Sequence, residues 1–211
     1  MERTEDAPVP WEGCGADRGI TGCRFSLSAM NDDYANVILG AIGRVNTQKV
    51  WSGTDALSTV YRGKRAHVVD AVRACFVHVN DDRTHVTMEA TFSKGCPGDT
   101  DGDSFLAEDD TPVNVLVSPT GKKTNVLGKI SFYPLGVPQY MEHIAHAVNL
   151  TKGRGVFKNV SHYATELQGD VNDIFDCLNE IMDYAEKNVA HYVLQTTLSI
   201  NSPSMANRRA Q

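Results

Sequence analysis

When the chain is written against itself at a shift of about 106 residues, three separate segments fall into register, and this internal repeat constrains the fold more than any local motif. CRFSLSAM (Cys23 to Met30) falls on GKISFYPL (Gly128 to Leu135). ALSTVYRG (Ala56 to Gly63) falls on HYATELQG (His162 to Gly169), and HVTMEATFS (His85 to Ser93) on HYVLQTTLS (His191 to Ser199). The order is the same in both halves, so each copy, roughly residues 23–96 and 128–203, has to form one complete unit.

Within a unit, hydrophobic periodicity gives the elements. Each copy opens on a strand whose alternate residues are apolar (Phe25, Leu27, Ala29; then Ile130, Phe132), while Ser26, Ser28, Ser131 and Tyr133 point the other way. A helix follows, capped at Asn31 or Asp32, with Tyr34, Val37, Ile38, Ala41, Ile42 and Val45 on one stripe. Its counterpart starts with Pro138 in the first turn and carries Tyr140, Ile144, Ala147 and Val148. Then come two hairpin-like strands, KVWSG with TDALSTVYR and GVFKNV with SHYATELQ, ending at Gly63 and Gly169. A second helix carries Val68, Val72, Cys75, Phe76 and Val79 in one copy. The other has Val171, Ile174, Phe175, Leu178, Met182 and Ala185 behind a cap at Asp170. A long alternating strand closes each unit.

A helix with one apolar stripe must bury it against something, and two such helices on one face of a four-stranded antiparallel sheet satisfy that need. The expected fold class is therefore α+β: two tandem ferredoxin-like β-α-β-β-α-β repeats. The expected organisation is an arm over residues 1–17, a first repeat over 18–96, a linker over 97–126 rich in Gly, Asp, Pro, Ser, Thr and Lys, a second repeat over 127–203, and a tail over 204–211. The sheet face away from the helices is lined by Thr87, Glu89, Thr91 and Ser93, and by Val193, Gln195, Thr197 and Ser199; it can be solvated, pack on another sheet, or hold a polar ligand.

Composition narrows the partners. With 211 residues and 41% hydrophobic content the chain can bury a core, and its net charge of −6 argues against nucleic acid, since the nearest basic cluster is the pair Arg208-Arg209. No apolar run approaches the ~20 residues needed to cross a bilayer, and the first residues are acidic rather than basic and then hydrophobic, which points to a cytoplasmic protein. Five cysteines (Cys14, Cys23, Cys75, Cys96, Cys177), an odd count at wide spacing, argue against a disulfide scaffold and against zinc or iron–sulfur ligation; Cys75 and Cys177 read as small buried hydrophobes.

The remaining polar constellations differ in strength. Asp99, Asp101 and Asp103 invite comparison with a calcium loop, but Ser104 and Asp110 stand where an EF-hand needs Gly and a bidentate Glu. His143 and His146 share a helix face and lack an obvious third ligand, so no metal is expected. His85 and His191 open the two final strands at equivalent places, which suggests a shared structural role. No G-x-S-x-G, phosphate-cradling glycine loop or H-E-x-x-H is present, and no matched His/Asp pair occurs in both copies; this argues against an enzyme, a cofactor-free oxygenase included. What remains are matched short segments, Ser26-Leu27-Ser28 with Ser58-Thr59 and Ser131-Phe132-Tyr133 with Ala164-Thr165-Glu166. The first and third strands are neighbours in this topology, so a hydroxyl on one can sit beside the other and complement a flat heteroaromatic ring.

CRFSLSAMNDDY, KVWSGTDALSTVYRG, TFSKGCPGDTDGD, YPLGVPQYM, VSHYATELQGDVNDIF and LSINSPS, in that order, resemble the YkoF family of thiamine- and hydroxymethylpyrimidine-binding proteins, over a span from about Cys14 to the end. The resemblance implies tandem ferredoxin-like (ACT-like) repeats, a homodimer, no cofactor and no catalysis, and in each repeat a site for the aminopyrimidine ring. The first site would use the Leu27 backbone and the Thr59 side chain, and the second Phe132 and Thr165. It further implies a role in thiamine uptake or salvage, with transient contact to a thiamine transporter. Glu89 or Glu166 near a site would suit a cationic thiazolium. The copies differ at Ser28 against Tyr133 and Val60 against Glu166, which predicts unequal sites. The chain departs from the family pattern in a longer N-terminal arm bearing Trp11, and in Ser28-Ala29 where copy two keeps Tyr133-Pro134. The alternative from another class is an ACT-like allosteric sensor of an amino acid or other small metabolite.

Overall fold

The computed structural model describes residues 19–94 and 100–206. The N-terminal arm with Trp11, Cys14, Cys96, Asp99 and the pair Arg208-Arg209 lie outside the described residues. The first unit is β1 (Ile20–Ala29), α1 (Tyr34–Ile42), β2 (Trp51–Thr54), β3 (Thr59–Lys64), α2 (Arg65–His78) and β4 (Val86–Lys94). The second is β5 (Asn125–Leu135), α3 (Tyr140–Gly153), β6 (Phe157–Ser161), β7 (Ala164–Asp170), α4 (Val171–Asn188) and β8 (His191–Ile200), followed by the short α5 (Pro203–Ala206).

The two four-stranded sheets are one sheet of eight, in the order β2-β3-β1-β4-β8-β5-β7-β6 and antiparallel throughout. The seam is the β4–β8 ladder. It pairs Met88 with Leu198 and Phe92 with Leu194, and the repeat offset exchanges these two pairs. The units are thus related by a local two-fold axis through the seam. His85 and His191 mark it: His85 Nε2 lies 2.9 Å from Ser199 Oγ and His191 Nε2 lies 3.2 Å from Ser93 Oγ, so each histidine reaches across to the other repeat.

Strand alternation sorts the residues. Phe25, Met88, Ala90, Phe92, Ile130, Leu194 and Leu198 are buried under the helices, while Glu89, Gln195 and Thr197 are exposed on a face that none of the described residues covers. The helices lie side by side in the order α1, α2, α4, α3. At the centre, α4 buries Ile174, Phe175, Leu178, Ile181, Met182 and Ala185 along one stripe, and Asp170 caps it by accepting the Asn172 N–H at 3.0 Å. Burying such side chains contributes about 1.5–3 kcal/mol each. Arg65 of α2 locks the two units together through Asn179, Asp183 and Glu186 of α4.

Helix α2 is buried beyond one stripe, down to His67 and Asp70. The segment between the units explains this, because it forms a strap over the first repeat. A 3-10 turn at Asp103–Ala107 packs on β3. Next, Asp109 C=O meets His67 Nε2 at 2.5 Å, and Asp70 Oδ2 accepts N–H groups from Val113 and Asn114. A loop-like composition thus folds into an ordered brace, because its hydrogen bonds go to side chains rather than to a ladder.

Two helix starts differ from expectation. Helix α1 begins at Tyr34 with Asp33 at its N-cap and no side-chain cap bond, since Asn31 Oδ1 accepts the Asp33 N–H in a preceding turn. Helix α3 begins at Tyr140, because Gln139 in the left-handed region (φ 55°) separates it from Pro138.

Candidate functional site

The outer helices are docked far less closely than the central pair. Only Ala41 of α1 and Ala147 and Thr151 of α3 are buried, whereas Tyr34, Leu39, Tyr140 and Met141 are exposed. Beneath each outer helix the sheet forks. β1 stays paired with β4 as far as Ala29, but its ladder with β3 ends at Phe25↔Thr59. Likewise β5 follows β8 to Leu135, but leaves β7 at Ile130↔Thr165.

The fork determines which backbone groups point into the gap. A residue in a strand turns its N–H and C=O to the same side, and neighbours alternate. Met30 donates to His85 C=O at 2.9 Å, so it faces β4, as does Ser28; Leu27 therefore faces the side that β3 has left. In the second unit Gln168 donates to Val156 C=O at 2.9 Å and so faces β6, which turns Thr165 toward β5. Its partner Ile130 faces β7, and Phe132, two residues on, directs its N–H and C=O to where β7 no longer runs. Thr59 and Thr165, each 8% exposed, lie on the helix side of the sheet at the root of the fork. Each repeat therefore combines one strand-edge N–H and C=O with one nearly buried hydroxyl. Leu27, Thr59, Phe132 and Thr165 all stand at these forks.

In the second repeat the fork opens into a cleft of about 780 Å³, within the range of small-molecule sites. Ile130, Phe132 and Pro134 of β5 form one wall, Tyr140, Ile144 and Val148 of α3 the roof, and the β6–β7 hairpin with Tyr163 and Thr165 the other side. Among the described residues no Asp, Glu, Lys, Arg or His lines it. Such a cleft suits a flat, largely apolar ring that presents a short donor–acceptor edge to the strand.

Comparison with known proteins bears on the two-unit architecture. The model of the YKOF-related family matches twice, over residues 20–99 and 125–205. A Bacillus subtilis (strain 168) protein named "Putative HMP/thiamine-binding protein YkoF" is 42% identical over 196 residues, covering 93% of this chain and 97% of the relative. The chain belongs to the YkoF-related family.

The two YkoF-related units are not equivalent at their forks. Thr59 Oγ1 lies 3.0 Å from Thr54 Oγ1, whereas Val160 stands opposite Thr165 and offers no such partner. The hairpin tips are also held differently. In the first unit, Asp55 accepts N–H groups from Leu57 and Ser58 and pairs with Arg24. These contacts, the two backbone bonds foremost, lower its carboxyl to about 2. In the second unit the Ser131 hydroxyl donates to Tyr163 C=O at 2.9 Å.

Several polar residues of the matched segments turn out to sit elsewhere. Ser26, Ser28, Ser131, Glu89 and Glu166 alternate onto the uncovered face, so the hydroxyls and carboxylates flanking Leu27 and Phe132 do not converge with the two threonines. Sequence alternation alone separates Ser26 from Leu27; only the ladder register assigns Thr59 to the side of Leu27. His143 and His146 both engage Tyr184, the first by a 2.8 Å hydrogen bond and the second by stacking at 3.8 Å between ring centroids. Among the described residues no group of three or more His, Cys, Asp or Glu could hold a metal ion, and no helix is long and apolar enough to cross a membrane. Cys75 and Cys177 are fully buried, and burial pushes both thiols up to about 12. The residues that sequence reasoning missed are the α3 and hairpin-tip side chains that complete the cleft, Tyr163 above all; its exposed tip position carries no periodic signal.

Proposed function

We propose that the chain is a non-catalytic binding protein for thiamine and its hydroxymethylpyrimidine moiety, with one site at each fork. Leu27 and Phe132 act through their backbones, and Thr59 and Thr165 through their hydroxyls. The observation that carries this is the strand edge next to a nearly buried threonine. A 4-aminopyrimidine presents a ring nitrogen that accepts beside an amino group that donates, and one strand residue's N–H and C=O complement that pair; the threonine hydroxyl serves a second ring nitrogen. The similar Bacillus protein, named for binding HMP and thiamine, supports the choice of ring.

Such a protein would serve thiamine uptake or salvage in the cytoplasm, as a homodimer covering the free sheet face, and would pass its ligand to or from a transporter. The competing reading, an ACT-like sensor of an amino acid, needs charges to meet an ammonium and a carboxylate, and the second cleft has none in its lining. Isothermal titration separates the readings: heat with thiamine and with hydroxymethylpyrimidine, and none with amino acids, is expected. Absence of binding by both pyrimidines would exclude the proposed function.

A further inference from the structure

Tyr163 combines a strained backbone with an exposed side chain. It occupies the left-handed region (φ 63°), costly for a bulky side chain, and is 98% exposed, so it repays that strain with no burial. Its backbone is nonetheless fixed, by the hydrogen bond from Ser131 and by the tight turn between Ser161 and Ala164. Tyr163 lines the open side of the cleft, and a second exposed tyrosine, Tyr140 of α3, lines its roof. The equivalent positions of the first repeat hold Leu57 and Tyr34, so the Tyr163 ring belongs to the second repeat alone. Leu57 is 87% exposed, which means that an outward tip is common to both repeats while the aromatic ring is not.

The chemistry required at this mouth follows from what lines the cleft. Thiamine consists of a neutral aminopyrimidine joined to a cationic thiazolium. If the pyrimidine meets the Phe132 strand edge and Thr165, the thiazolium must lie toward the mouth. Among the described residues no carboxylate lines the cleft to meet it. Aromatic faces can, because their negative π-surfaces attract a delocalised cation.

We propose that Tyr163, with Tyr140, forms an aromatic clamp for the cationic second ring, so that the second repeat prefers thiamine to the neutral hydroxymethylpyrimidine and the first repeat does not. This rests on the proposed function, and extends it to a specificity-determining group.

The test is a titration of the full chain with thiamine and with hydroxymethylpyrimidine, for the wild type and for Tyr163→Leu, Tyr163→Phe and Tyr163→Gly. One wild-type site should prefer thiamine by about three- to tenfold, the range expected of a partly exposed cation–π contact. Tyr163→Leu, which installs the residue of the first repeat, should lower thiamine affinity more than hydroxymethylpyrimidine affinity and bring that ratio near one, and Tyr163→Phe should retain it. Tyr163→Gly should abolish the preference with the melting temperature unchanged or raised, which separates loss of the ring from loss of the fold. A preference unchanged in Tyr163→Leu, or a wild type that binds both compounds equally at both sites, overturns the clamp and leaves the pyrimidine site standing. Binding of neither compound overturns both.

Discussion

At the scale of single residues, the threonines are the most direct handle on the proposed sites. Thr59 and Thr165 have the same burial and the same place in the ladder, but the Thr59 hydroxyl is engaged by Thr54 and Thr165 faces Val160. A ligand at the first fork must share or displace the Thr54 contact, which gives the inequality of the sites a physical cause. Thr165→Val keeps the shape and removes the hydroxyl. It should weaken one site by about two- to tenfold, the worth of one neutral hydrogen bond, and leave the other unchanged by titration. Thr59→Val should weaken the other site by a smaller factor, because part of that bond's value is already spent on Thr54. Weakening of both sites by either single change would contradict their assignment to separate forks.

At the scale of elements, the strap between the repeats holds the outer edge of the first unit to its helices. It passes Trp51 and Arg62 at Gly102, which has φ 89° and little room for a side chain: an added Cβ would come within 3.1 Å of Arg62 Cβ and 3.2 Å of Trp51 Cβ. Gly102→Ala should therefore destabilise the protein by about 1–3 kcal/mol, combining left-handed strain with crowding, measured as a lower midpoint in urea. Gly121→Ala, also at positive φ but with open space around it, provides the comparison and should cost less. Equal losses in the two variants would mean that the close approach at Gly102 contributes nothing. The helices follow the same logic: α4 has a continuous stripe and a side-chain cap, while α1 has neither a cap bond nor a deep stripe, and this loose docking is what leaves space beneath the outer helices.

At the scale of the whole molecule, the two repeats are joined by a ladder, a pair of His–Ser contacts and the Arg65 cluster, which makes cooperative loss of both units the expected mode of unfolding. Burial, with Lys94 adding to it, holds His191 below the ordinary histidine value of 6.5; burial and then Arg44 do the same for His78. The unfolded chain therefore takes up these protons before the folded one does. Stability is full above about pH 6.5 and is lost as pH falls through the lower folded values. The melting temperature should drop between pH 7.5 and 5.5, and the drop should shrink in a His78→Gln, His191→Gln double variant. A pH-independent melting temperature over that range would refute it.

By itself the amino-acid sequence determined what depends on short-range chemistry and on the repeat. Alternation in Phe25-Ser26-Leu27-Ser28 fixes which residues share a face, the stripe from Ile174 to Ala185 with its Asp170 cap fixes a helix, and the match of His85 to His191 signals a shared role. It also brought Leu27, Thr59, Phe132 and Thr165 into consideration, through the family resemblance. Only the tertiary structure decided the rest, because it depends on contacts between distant parts of the chain. The β4–β8 ladder merges two sheets into one, the strap buries His67 and Asp70, and the early end of β3 and β7 leaves a strand edge unpaired. No local pattern encodes where a ladder stops. That stopping point is what turns two matched threonines into the floors of the two related but unequal sites we propose.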